Sequence, residues 1–108
     1  MPADGPGALW HPSPNFGSRR GDAGICLVVL HYTAMKSAAA ALLRLCDPAH
    51  AVSAHYLIGA DGRLWQLVRE ADRAWHAGAG AWGGIADVNS ASIGIEIDND
   101  GTAPFAEP

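Results

Sequence analysis

A chain of 108 residues, 49% of them apolar, can bury one modest core and is too short for several domains. Only 17% of its residues are charged, too few for a largely disordered chain, and a formal net charge of −4 lacks the basic footprint of a nucleic-acid binder. The longest apolar run, "ICLVVL", is six residues, so no membrane span is expected.

Residues 1–24 hold most of the prolines and show no periodicity. They are expected to form an extended arm with polyproline character, laid over a body of residues 25–108 and pinned by Trp10 and Phe16. The opening "MPADGPGALWHPSPNFGSRRGD" has no apolar signal-peptide core. A cytoplasmic location follows as the expectation, with the periplasm as the alternative.

"ICLVVLHY", residues 25–32, is β-rich and apolar on both faces, the pattern of a central strand covered on both sides. It ends at His31, where side chains can converge on a site. The following "TAMKSAAAALLRLCDP" predicts a helix, with Ser37 as N-cap and Leu42, Leu45 and Cys46 spaced along one face. Pro48 stands just past its end. "SAHYLIGADGRLWQLV" predicts a hairpin, with strands His55–Ile58 and Leu64–Val68 around a turn at Gly59–Gly62. "READRAWHAGAGAWGGIADVNS" reads as a glycine- and alanine-rich loop, long enough to suspect function. In "SIGIEIDND", Ile93, Ile95 and Ile97 alternate with Gly94, Glu96 and Asp98, which is the period of a strand. Its polar face carries the Glu96 carboxylate beside a residue with no side chain, a shallow floor that a ligand could occupy. The sequence then continues for only twelve residues beyond Glu96, "IDNDGTAPFAEP", with no helical pattern to cover that strand.

Cys26 and Cys46 form no C-x-x-C pair, so buried thiols are expected. Five histidines invite a metal hypothesis, yet no compact signature such as H-E-x-x-H is present. His31 and Glu96 are the strongest pair: an acid near apolar neighbours has its pKa raised toward working pH, as a general base requires. His55 starts a strand and can equally bond a backbone carbonyl. His76, in "AWHAG", is the better candidate for a site lining.

Read in order, "SPNF…LVVLHYTAM", "VSAHYLIGADGRLWQLV", "RAWHAG" and "NSASIGIEIDN" resemble the zinc-dependent N-acetylmuramoyl-L-alanine amidases, of the superfamily shared with phage amidase lysozymes and peptidoglycan recognition proteins. The resemblance runs from about Ser13 to Asn99. It implies a mixed α/β (α+β) fold, a central mixed β-sheet flanked by helices, here incomplete at its C-terminal end, so that residues 25–108 are the N-terminal part of a single amidase domain. It implies a Zn2+ cofactor, a peptidoglycan or muropeptide substrate and a monomer. By the resemblance, His31 is the first zinc ligand and Glu96 the catalytic acid that works on zinc-bound water. His76, Trp75 and Asn99 fall in the substrate groove.

The family's other two zinc ligands, a histidine and an aspartate, lie beyond the "SIGIE" strand and have no match here; Asp98 and Asp100 do not correspond to them. A non-catalytic peptidoglycan-binding module, or an inactive fragment lacking those ligands, is therefore the alternative to an active hydrolase.

Overall fold

The structure, a computed structural model, describes residues 7–20, 24–32, 37–59, 61–77 and 87–98. Its elements in chain order are β1 (Leu9–Trp10), β2 (Phe16–Ser18), β3 (Leu27–Tyr32), α1 (Ala38–Leu45), β4 (Tyr56–Ile58), β5 (Leu64–Gln66), β6 (Asp72–Ala74), a 3-10 helix (Val88–Ala91) and β7 (Ser92–Ile97). Five strands form one mixed sheet in the order β1-β5-β4-β7-β3, and β2 pairs with β6 as a separate antiparallel ribbon. The hairpin β4–β5 is antiparallel, while β4 and β3 run parallel to β7 on either side of it. Among the described residues no helix is long and apolar enough to cross a membrane.

α1 forms where its alanines and leucines favour helix, and Ser37 caps it by accepting a hydrogen bond from the Ala40 N–H at 3.1 Å. Its inner side delivers Ala41 and Leu45 to a core completed by Leu57, Leu67, Val68 and Ala74. The far end of α1 is closed by the N-terminal arm. Asn15, buried, donates from Nδ2 to the carbonyls of Leu45, Asp47 and Val52, and Ser13 Oγ also donates to Leu45. Carbonyls at a helix end lack intrahelical donors, so these contacts satisfy groups that would otherwise be orphaned.

Residues 9–18 are thus woven in as strands, through β1 against β5 and β2 against β6. Phe16 stays 45% exposed, so the expected aromatic pin at that position is replaced by polar ones. Arg19 is the strongest of them: its guanidinium donates to the carbonyls of Glu70, Asn89, Ser90 and Ser92. Trp10 lies 5.8 Å beneath the Arg69 guanidinium.

The hairpin forms as expected with shorter strands, turning through Gly62 at φ +87°, a conformation that suits glycine. Three expectations need correction. β3 lies at the sheet edge among the described strands, paired with β7 alone, and the face carrying Val28 and Leu30 is exposed, at 64% and 63%. Cys26, expected to be buried, is exposed just before β3, while Cys46 is half-buried and its thiol is pushed up by burial. The loop expected over residues 69–90 contains β6 and much of the 3-10 helix, since β6 takes its order from a partner in the arm.

Candidate active site

The register of β3 on β7 decides whether the two leading residues can cooperate. His31 pairs with Glu96, Val29 with Gly94 and Leu27 with Ser92. Partners in a parallel ladder share a face, and neighbouring strands lie about 4.8 Å apart. His31 and Glu96 therefore stand side by side at the carboxyl ends of their strands. Leu57 of β4 is in register with Glu96 and packs with Ala41 and Leu45, so α1 covers part of this same face. The face is neither fully solvated nor sealed.

That half-burial sets the chemistry of both groups. Glu96 has its pKa raised to about 7 by desolvation, opposed by the positive charge of Arg44 on α1. Its Oε2 is buried with no hydrogen-bond partner among the described residues. A carboxyl poised near neutrality can both take and return a proton. His31 has its pKa lowered by burial and stays a neutral imidazole at neutral pH.

The space beside Glu96 is not the open floor expected above Gly94. His76 fills it: a Cβ built on Gly94 would lie 2.4 Å from His76 Cγ. Glycine is required here because an imidazole ring rests on the strand. Asn89 in the 3-10 helix aims that ring, its Oδ1 accepting from the N–H groups of His76 and Ala77 at 3.1 and 2.8 Å. His76 Nδ1 lies 3.2 Å from His31 Nε2, and His76 Nε2 lies 2.9 Å from Ser92 Oγ. Burial, then the neighbouring His31 and His55 and the charges of Arg19 and Arg73, hold its pKa down at about 4.

His55 is fully buried. Its Nδ1 accepts from the Gly94 N–H at 3.0 Å, so Nε2 carries the ring proton and donates to the Asp72 carbonyl at 2.9 Å. With both nitrogens engaged it is a structural tie between β7 and β6, which removes it from the metal candidates. Trp75 is half-buried beside His76, its backbone exchanging hydrogen bonds with Ser53. Asn99, expected in the groove, lies outside the described residues.

Sequence reasoning missed Ser92 and Asn89. Ser92 was available, since it continues the Gly94–Glu96 face of the ladder by one more step of two. Asn89 carried no such signal. Beyond Glu96 a groove of about 480 Å³ opens between α1 and the hairpin, lined by Leu42, Gly59, Arg63, Trp65 and Asp98. Arg63 sits 5.4 Å over the Trp65 ring.

A catalytic zinc takes three protein ligands. His31 suits one of them, being an imidazole at a strand end, in register with Glu96 on the neighbouring strand. Among the described residues, however, no three His, Cys, Asp or Glu side chains cluster closely enough to hold a metal ion. The described residues thus provide one ligand position and a neighbouring acid, not a complete set.

Comparison with known proteins is specific. The chain is 44% identical to the N-acetylmuramoyl-L-alanine amidase AmiD of Escherichia coli (strain K12) over 84 residues, covering 71% of this chain and 29% of AmiD. It is 33% identical to the 1,6-anhydro-N-acetylmuramyl-L-alanine amidase AmpD of the same organism, covering 94% of this chain and 64% of AmpD. The chain thus spans between about a third and two thirds of these relatives. The fold superposes on the crystal structure of a selenomethionine derivative of AmpD with a TM-score of 0.82 at 29% identity, covering 99% of this chain and 71% of that one. It also matches AmiD in complex with the substrate anhydro-N-acetylmuramic acid-L-Ala-D-gamma-Glu-L-Lys, with a TM-score of 0.63 at 44% identity over 74% of this chain and 32% of that one. Residues 21–108 match the family described as N-acetylmuramoyl-L-alanine amidase, and the chain belongs to that family.

Proposed function

We propose that this chain carries the reaction edge and part of the substrate groove of an amidase that hydrolyses the bond between N-acetylmuramic acid and L-alanine, and that these 108 residues alone bind muramoyl-peptide without cleaving it. The observation that carries the first part is the side-by-side placement of His31 and Glu96 at the strand ends. The second part rests on the ligand count, since the described residues offer one zinc position where hydrolysis needs three.

In the complete site, Glu96 takes a proton from the attacking water. It then passes that proton to the departing alanine nitrogen, which leaves poorly as an anion. His31 and two further ligands would hold a zinc ion, which would supply Lewis acidity toward the water and the oxyanion. The groove between α1 and the hairpin offers the apolar surface of Leu42 and Trp65 to the substrate, while its Arg63 is held over the Trp65 ring and ion-paired with Asp61 at 3.2 Å. Trp75 and His76 line the edge nearest the scissile bond. AmiD in complex with an anhydro-muramoyl tripeptide supports that substrate class for this chain as well.

The test is to incubate the chain with anhydro-N-acetylmuramoyl-L-Ala-D-γ-Glu-L-Lys and Zn2+. Peptide release is followed by mass spectrometry and binding by calorimetry. Binding without release is expected. Release over many turnovers would contradict the binding-only reading, and no binding would contradict the groove assignment.

A further inference from the structure

The three side chains that meet over Gly94 form a hydrogen-bonded series whose direction can be read from its last member. Ser92 Oγ lies 2.6 Å from the Val88 carbonyl oxygen, which can only accept, so the hydroxyl proton points there. The same hydroxyl must then receive at its 2.9 Å contact with His76 Nε2, and that nitrogen carries the ring proton. A neutral imidazole has one N–H, so His76 Nδ1 presents a lone pair. Its partner at 3.2 Å, His31 Nε2, is therefore the donor. The order is His31 Nε2–H to His76 Nδ1, His76 Nε2–H to Ser92 Oγ, and Ser92 O–H to Val88 O.

We propose that His76 and Ser92 are positioning residues that fix the tautomer of His31, keeping its proton on Nε2 and leaving Nδ1 as the nitrogen whose lone pair is free for a metal ion. Two features make the series rigid. The bare Gly94 lets the His76 ring settle where a methyl group would collide at 2.4 Å, and Asn89 clamps the backbone on both sides of that ring. A histidine ligand needs its second nitrogen held by a defined acceptor, because this sets both ring orientation and basicity. Here the acceptor is another imidazole, itself anchored through a hydroxyl to the backbone that opens β7. The meaning of the free nitrogen rests on the amidase reading, whereas the order of the protons does not.

The test is long-range proton–nitrogen NMR on the metal-free 108-residue chain labelled with 15N histidine, at about pH 8. We expect His31 to carry its proton on Nε2 alone, with a nitrogen–nitrogen coupling across the hydrogen bond to His76 Nδ1. A His31 proton on Nδ1, or a shared proton attached to His76, would overturn the proposal. Ser92→Ala removes the hydroxyl that fixes the direction, so the reverse order becomes accessible and part of the His31 population should shift to Nδ1–H. An unchanged, single His31 tautomer in a folded Ser92→Ala protein would also overturn it. His76→Ala should abolish the coupling outright. Failure of the amidase reading would look different, appearing as absent substrate binding while the tautomer pattern stays intact.

Discussion

Replacing Glu96 by Gln should change how the fold responds to pH, and the size of the change follows from where the carboxyl sits. Glu96 is held between β7 and α1 with one oxygen buried and unpartnered, and its pKa rises from 4.5 to about 7. Between those pH values the folded chain holds a proton that the unfolded chain has released. The protonated carboxyl therefore favours folding at low pH, and this contribution is lost as pH rises through about 7. For a sealed group the loss would be about 3 kcal/mol at roughly 1.4 kcal/mol per pH unit, and the partial exposure of Glu96 reduces it to about 1–2 kcal/mol. Glutamine cannot ionise, so the variant lacks this loss. Urea unfolding of both proteins at about pH 4.5 and pH 8 isolates the effect. Histidines whose pKa values are lowered by burial also give stability a pH dependence, but they are common to both proteins and cancel in the difference. The variant should gain about 1–2 kcal/mol relative to the parent between the two pH values. Parallel pH profiles would refute the idea that Glu96 is desolvated.

Other substitutions probe the supports of the site. Gly94→Ala should destabilise by about 1–3 kcal/mol in denaturant melts, since the new methyl must displace the His76 ring resting there. Arg19→Met should cost about 2–4 kcal/mol in the same assay, because it strips a charged donor from the carbonyls of Glu70, Asn89, Ser90 and Ser92. Ser37→Ala should cost about 1 kcal/mol by removing the α1 cap, leaving the His31–His76 contact intact by NMR.

Much of this architecture could be read before the fold was known, because the signals were local. Ser37 announces α1, Asp61-Gly62 announces the hairpin turn, and the alternation of Ile93, Ile95 and Ile97 announces β7 together with the face that bears Glu96. The errors share one physical source, which is that a strand's sequence says what its faces prefer but not what arrives there. "LVVL" is apolar on both sides, yet β3 has one neighbouring strand among the described residues and exposes Val28 and Leu30. Gly94 correctly signalled a close approach, but the group approaching is His76, from a segment whose order depends on Asn89 rather than on its own periodicity. β6 was illegible because Asp72–Ala74 is extended only against Phe16–Ser18, more than fifty residues earlier. The arm motif "SPNF" had no readable purpose until Ser13 and Asn15 were seen closing the end of α1.

The proposed function depends on His31 and Glu96, in register on one face of the sheet, sharing a single substrate site. Chemical-shift mapping with the anhydro-muramoyl tripeptide reads out this sharing residue by residue. The largest perturbations are expected on His31, Glu96 and the groove residues Arg63 and Trp65, with little change at the exposed Val28–Leu30 face. Perturbations centred on that opposite face, with His31 and Glu96 undisturbed at saturation, would contradict it.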